Sequence, residues 1–378
     1  MALNVDRRIG IPTVKFNPNF YKTAYTNYRQ GIYREVIEMM NRSEVDSHVA
    51  GCLVGRKAGF QKQWVIEPYS DEPGDRDRSE WIKGIIKNLD HRSLFKDIHQ
   101  ARLKKFSVID FEWDIVDGKQ VPVSHQSYDQ KYFRYDLRGD GKLKIDHGKN
   151  LEEIPPEALV CETKEMPILF PVLRDFILKD FGLESWAAFI ETFGEGIIMG
   201  NYPPGSSTDT KTELQAAVDA IARSSRGIKP DGTKIEIIET TRTTGDHDRF
   251  VATSDKGISI TILGHANAVE ASKGLQVGEN NTQYNVKLEI AVDDMYFIDS
   301  YMQLLIRLIQ QRNYGDNRYP VFSLDKSEPL NRKEHADLVD MFWRHGGTVS
   351  PDEYRKLGLD VDENQEPIIK PQGLGLLD

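Results

Sequence analysis

Apolar and polar positions divide this chain into stretches with different periods. Through YREVIEMMNRSEVDSHVAGCLVGRKAGF, the residues Val36, Ile37, Met40, Val49, Leu53 and Val54 recur at helical spacings. This predicts two helices, with Ser43 as the N-cap between them. QKQWVIEPY then alternates as a short strand stopped by Pro68. The polar run Ser70 to Glu80 reads as a surface loop leading into a helix over WIKGIIKNL, and SLFKDIHQARLKKF reads as a second amphipathic helix. SVIDFEWDIVDGKQVPVSHQ predicts two strands joined at Asp117-Gly118, a favoured hairpin turn. KYFRYDLRGDGKLKID predicts another hairpin around Gly139 to Gly141.

The pattern changes at PILFPVLRDFILKDFGLESWAAFIETFG, a long helical stretch bearing Phe176, Trp186, Phe189 and Phe193. So wide an apolar load fits a helix packed on more than one side. After the YPPGSSTDT loop come a helix over TKTELQAAVDAIARSS and, past Pro230-Asp231-Gly232, a short strand over KIEIIET. GDHDRFVATSDKGISITILG reads as a helix, although Gly257 and the β-branched residues weaken it. Ala266 to Gln283 is polar, rich in small residues and long for a loop inside a compact domain, and loops of this size tend to be functional or mobile. A helix from Tyr284 to Tyr314 is expected next, with Val286, Ile290, Met295, Ile298, Met302, Leu305 and Ile309 along one stripe. NRKEHADLVDMFWRHGG and SPDEYRKLGL, the latter with Ser350 at an N-cap and Pro351 at the first helical position, close the ordered part.

The 378 residues are enough for two or three compact bodies. With 39% hydrophobic and 29% charged residues the composition is that of a soluble globular chain. The net charge of -10 argues against a phosphate-gripping protein. Cys52 and Cys161 form no C-x-x-C pair, so two buried free thiols in a reducing compartment are expected, without zinc or disulfide. The first residues lack a signal-peptide layout, and no window approaches the roughly 18 apolar residues of a membrane span. The expectation is a protein made and used in the cytoplasm, or in something assembled there.

Catalytic motifs are missing. There is no G-x-x-x-x-G-K-[ST], H-E-x-x-H or G-x-S-x-G. GDHD, Gly245 to Asp248, is the densest acid-histidine cluster, and at a helix start Asp246 reads as a cap for backbone N–H groups rather than a metal ligand. Asp293, Asp294 and Asp299 share the long helix and read as a solvated face. DLRGDG reads as a tight turn, since it lacks the later acidic ligands of a calcium loop. In ETFGEGIIMGNYPPG, the residues Gly194, Gly196 and Gly200 mimic a phosphate loop, but a helix precedes them and extended chain follows. That is the reverse of the dinucleotide context, and Gly194 reads instead as the left-handed residue ending the helix. No catalytic residue, cofactor or metal is expected.

Four stretches carry a family resemblance: DSHVAGCLVGRKAGFQKQWVIEP; FSVIDFEWDIVDGKQVPV leading to KYFRYD; ESWAAFIETFGEGIIMGNYPPGSS; and HDRFVATSDKGISITILGHA before a small-residue loop and a long helix. In order and spacing the chain resembles phage portal proteins of the Mu-type head-to-tail connector group over about residues 30 to 315. At one point, His265-Ala266-Asn267-Ala268, it departs from the more usual Gln- and Thr-rich version. The resemblance implies an α+β, mostly helical portal fold assembling as a ring, typically a dodecamer, at one capsid vertex. It implies a wing over 1–166, a first stem helix over 167–193, a clip over 194–245 and a second stem helix over 246–265. A tunnel loop over 266–283, a long wing helix within 284–324 and a crown region over 325–378 complete the map.

On that map Lys273, Gln276, Glu279 and Asn280 face the channel. Ser206, Ser207, Asp209 and Arg242 in the clip meet the terminase and then the head-completion adaptor. Gly194, Gly196 and Gly200 form the stem-to-clip joint. The implied partners are further copies of the chain, double-stranded DNA in the channel, the major capsid protein, the terminase large subunit and the adaptor, with no membrane. The implied location is the virion, after assembly in the host cytoplasm. Twelve chains at -10 carry about -120, and an acidic channel lets a duplex slide rather than stick. The alternatives are another phage structural protein, such as an adaptor or baseplate component, and a metal-dependent DNA-processing enzyme, which requires GDHD to bind metal.

Overall fold

The computed structural model describes residues 18–193, 197–201, 204–224, 234–238, 245–266, 277–327 and 339–341. The chain divides into two units, Met1–Asp325 and Lys326–Asp378. All the elements below belong to the first. SPDEY and the C-terminal helical stretch around it lie outside the described residues apart from 339–341.

Three helices open the structure: α1 (Pro18–Arg29), α2 (Arg34–Ser43) and α3 (Ser47–Gly59). Ser43, expected as an N-cap, is instead the last residue of α2, where its hydroxyl donates to the Met40 carbonyl at 2.8 Å. Asp46 takes the capping place. Its backbone is extended and its carboxylate accepts from the amides of His48 and Val49, both at 3.0 Å. A charged acceptor at the positive end of a helix satisfies two otherwise orphaned donors at once.

The strand β1 (Trp64–Glu67) follows, then α4 (Pro73–Asn88) and α5 (His91–Lys104). Helix α4 takes in most of the run expected as a loop. Proline at its first turn has a φ already suited to a helix and lacks the amide that goes unbonded there. The hairpin β2 (Phe106–Val116) with β3 (Lys119–Tyr128) turns at Asp117 and Gly118, whose φ values of 52° and 75° are both left-handed. This is the pairing that a two-residue turn needs in order to follow strand twist. β4 (Phe133–Tyr135), β5 (Leu143–Asp146), β6 (Leu151–Glu153) and β7 (Leu159–Glu162) form two small antiparallel groups, in the orders β3-β2-β7 and β4-β5-β6. The DLRGDG carboxylates are occupied locally. Asp136 accepts from the Gly139 amide, and Lys144 pairs with Asp136, Asp140 and Glu153.

Helix α6 (Leu169–Phe193) then leads to β8 (Ile197–Asn201), α7 (Thr208–Ser224), β9 (Lys234–Ile238) and α8 (Gly245–Leu263). β8 and β9 pair antiparallel, so the extended IIM segment is one strand of a two-stranded ribbon. Helix α9 (Val277–Asn313) begins seven residues before the expected Tyr284. At 1.5 Å per residue its 37 residues run about 55 Å. Finally β10 (Val321–Leu324) returns to pair with β1.

Three cores hold this together. Met295, Ile298, Met302, Leu305 and Ile309, from the predicted α9 stripe, pack with α4, α5 and the β1-β10 pair. The first half of α6, from Leu169 to Ile177, packs with α1, α2, α3 and α8. Aromatic and aliphatic residues of β2, β4 and β5 close the third core around Ile37. Phe176 is buried, but beyond it α6 emerges from the core, leaving Phe181 and Ile190 exposed. The broad apolar pattern on this helix thus divides into a buried half and a surface half. Cys52 and Cys161 are both buried and free, as expected.

Candidate functional site

The stretch that length and composition mark as functional has two roots, the end of α8 and the start of α9. A buried ionic node that joins four helices ties the end of α8 to Asp294, about 25 Å along α9 from its first residue, Val277. Arg56 of α3 grips Asp294 of α9 with two hydrogen bonds, Nε to Oδ2 at 2.8 Å and Nη2 to Oδ1 at 3.0 Å. Its remaining Nη1 donates to the carbonyl of Ile262, the penultimate residue of α8, at 2.7 Å. From α5, His99 Nε2 lies 3.1 Å from Asp294, and Arg102 Nη1 lies 3.1 Å from the same carboxylate while also pairing with Asp293. Asp294 and His99 are fully buried.

Bidentate geometry is what makes a buried pair tolerable, because an unpaired charge in this position costs several kcal/mol. Burial alone raises the Asp294 carboxyl, but His99 and the Arg56 guanidinium outweigh it and hold the group down at about 2. His99 is pushed below its ordinary value, because burial disfavours the imidazolium more than Asp294 favours it. Both shifts make acid destabilising. As pH falls below the ordinary histidine value of 6.5, the unfolded chain takes up a proton that buried His99 resists. As pH falls from 3.8 towards 2, the Asp294 contribution is lost as well. A His99→Gln variant is therefore expected to flatten the loss of unfolding free energy as pH falls below 6.5, read from urea titrations at each pH. An unchanged slope excludes His99 as its source.

Two glycines let the roots approach one another. Gly264 ends α8 with φ at 79°, and a side chain there meets Val286 at 2.6 Å and Ile290 at 2.7 Å. Gly59 at the end of α3 leaves room for Ala291, which a β-carbon would meet at 2.8 Å.

The residues singled out in the sequence fall as follows. Glu279 and Asn280 lie in the first turn of α9 rather than on a loop, since the helix starts at Val277. Lys273, Gln276, Gly194, Gly196 and Arg242 lie outside the described residues, whereas Gly200 sits in β8 opposite Ile235. Ser207 caps α7, its hydroxyl accepting from the Thr210 amide at 3.2 Å, with Ser206 before it and Asp209 in the first helical turn. The side chains of Asp246 and His247 lie outside the described residues, and Asp248 is exposed. Among the described residues no group of three metal-ligating side chains occurs, and no helix is long and apolar enough to cross a membrane.

Asp294 corrects the expected solvated face, and so does Asp299, which accepts from the Leu324 amide at 2.9 Å. A helical periodicity of acids does not show which face is buried. A signal for the node was nevertheless present: Arg56 continues the apolar line of Val49 and Leu53, so the chain places a guanidinium on a core-facing stripe.

Comparison with known proteins bears on the whole architecture. A family model described as the portal protein of Mu bacteriophage matches residues 37–359. Mu-like prophage FluMu protein gp29 of Haemophilus influenzae is 24% identical, covering 86% of this chain and 67% of that protein. The portal protein of Escherichia phage Mu is 28% identical, covering 78% of this chain and 61% of its own length. The chain thus spans about two thirds of these relatives. In fold it is similar to a chain in the virion of a native gene transfer agent particle, with TM-score 0.58 at 9% identity over 90% of this chain and 99% of that one. It is also similar to a chain in the neck of a native particle computed with C12 symmetry, with TM-score 0.57 at 9% identity over 85% and 93%. A mostly helical α+β fold of this type, with a family match across most of its length, places the chain in the Mu-type family of bacteriophage portal proteins, which are structural rather than enzymatic.

Proposed function

We propose that this chain is the subunit of a closed ring, typically of twelve copies, set at one capsid vertex of a virion assembled in the host cytoplasm. Double-stranded DNA enters and leaves through the ring, which serves first as a platform for the terminase and then for the head-completion adaptor. The family match over residues 37–359 carries the reading. In this reading 1–166 with the long α9 forms the wing beside the major capsid protein, and α6 and α8 are the stem helices along the channel. Residues 194–245 form the clip, with Ser206, Ser207, Asp209 and Arg242 meeting the terminase and adaptor, and 325–378 form the crown. The glycines Gly194, Gly196 and Gly200 allow the close backbone turn from stem to clip.

The channel segment is the part between α8 and α9, residues 267–276, with Lys273 and Gln276 towards the DNA and Glu279 and Asn280 leading from it into α9. An anchored α8 end suits such a segment, because DNA moving through the ring can displace the loop while α8 holds. A deletion of Ser272 to Gln276 tests the reading. It is expected to leave ring formation intact by negative-stain imaging while lowering packaged or retained DNA at least about tenfold. DNA content equal to that of the parent removes the channel assignment, and a chain that never forms a ring removes the reading itself.

A further inference from the structure

A ring closed by rotation joins unlike faces, the front of one subunit against the back of the next. Helices α3 and α8 lie side by side and run the same way. His48 Nε2 meets Ser259 Oγ at 2.7 Å, and further along both helices Arg56 reaches the Ile262 carbonyl. Their inner sides, with Val49 and Leu53 on α3 and Ile258 on α8, are buried against α6. The outer side of α3 presents Ser47, Gly51, Val54 and Ala58, spaced four, three and four apart and all exposed, with Val54 at 70%. Not one of them is charged, in a chain where charged residues make up 29%. Alongside, α8 presents Arg249, Thr253, Lys256 and Ile260 at the same spacing, with Ile260 48% exposed. No acid pairs with Arg249 or Lys256 among the described residues.

The opposite flank of the helix pair has the complementary character. The side of α6 that meets α8 carries Asp175, Lys179 and Gly182, through Gly257, Asp255 and Phe250 respectively. Asp180 and Glu184 therefore stand one turn apart on the side turned away from α8, next to exposed Phe181. Neither pairs with a base among the described residues. The two helices are antiparallel, and the contacts between Gly182 and Phe250 and between Lys179 and Asp255 fix their relative heights. Arg249 stands at the height of Glu184, and Lys256 stands within side-chain reach of the height of Asp180. Rotation about an axis along these helices preserves height, so a copy's acids arrive level with the bases.

We infer that the α3–α8 face of one subunit packs against the outer side of α6 in a second copy of this chain, with Arg249 and Lys256 opposite Glu184 and Asp180. Gly51 and Val54 supply the close-approach apolar floor, and the charges set register and exclude like faces. This rests on the ring reading above and names the surfaces that close the ring.

Two charge-reversed proteins test it. The first carries Arg249→Glu with Lys256→Glu, and the second carries Asp180→Lys with Glu184→Lys. Arg249, Lys256 and Glu184 are exposed and Asp180 is half-buried, and circular dichroism checks that each variant folds. Each protein alone is expected to show at least a tenfold lower ring fraction by mass photometry. An equimolar mixture is expected to restore rings, with the two proteins alternating. Rings from either variant alone at the parent level overturn the inference, as does a mixture of folded variants that stays dissociated. A parent chain that forms no ring overturns instead the reading on which it rests. A Val54→Cys probe gives a second readout: maleimide labelling is expected to be at least tenfold slower in the assembled ring than in dissociated subunits. Equal rates place α3 outside the interface and overturn the inference.

Discussion

Replacing Asp294 by alanine is expected to cost this fold roughly 3 to 5 kcal/mol, the range for breaking a buried ion pair from one side. The substitution leaves Arg56, itself only 7% exposed, without its bidentate partner and Arg102 without one of its two neighbouring aspartates. Arg56 keeps its bond to the Ile262 carbonyl, but a neutral acceptor does not compensate a buried guanidinium. Asp294→Asn retains shape and an acceptor and is expected to lose less. Arg56→Met combined with Asp294→Leu removes both charges and is expected to recover much of the loss, since well-packed apolar replacements of buried pairs are often tolerated. Urea unfolding followed by circular dichroism measures all three. A single-variant loss under about 1 kcal/mol, the size of an exposed pair, shows that the node is solvated.

The node also shows where a sequence stops being informative. The apolar stripe of α9 was readable because seven apolar residues recur at helical spacing; the five from Met295 to Ile309 are buried, while Val286 and Ile290 are half-buried. The acids on the same helix were not readable in this way. Asp293 is largely exposed and its neighbour Asp294 fully buried, a difference set by α3 and α5, which lie more than 180 residues earlier in the chain. The β2-β3 hairpin was legible for a local reason, because Asp-Gly is the dipeptide that takes two left-handed residues. β1 was also visible as an alternating stretch, but its partner β10 was not. Four residues leave too little pattern, and the pairing joins segments more than 250 residues apart.

Helix boundaries followed the same division. Ser43 and Asp46 both have capping side chains, and only the backbone conformation decides between them. α9 starts within a stretch whose small polar residues favour a loop by composition, so its first turns gave no apolar signal. The family resemblance was legible as a succession of elements with the right spacing rather than through any one motif. The match to residues 37–359 bears out the family resemblance.

Gly59 offers the sharpest test of how α3 and α9 meet at the node. The position of its missing β-carbon lies 2.8 Å from the β-carbon of Ala291, and neither atom can rotate away, because both are fixed by their backbones. A side chain at 59 must therefore push α3 and α9 apart one turn from both Arg56 and Asp294. Gly59→Val is expected to lose about 3 kcal/mol, the upper part of the usual range for overpacking, even though valine is the better helix former. Exchanging the two residues separates contact from propensity. In Gly59→Ala with Ala291→Gly, the methyl group simply crosses the interface, and the cost of roughly 1 kcal/mol for glycine at mid-helix 291 is only partly offset at the terminal position 59. That variant is expected to unfold within about 1 kcal/mol of the parent. Gly59→Ala alone, despite its gain in helix propensity, is expected to be less stable than the exchange. If the single alanine variant proves the more stable of the two, the helices have room to spare and close approach is not what the glycine provides.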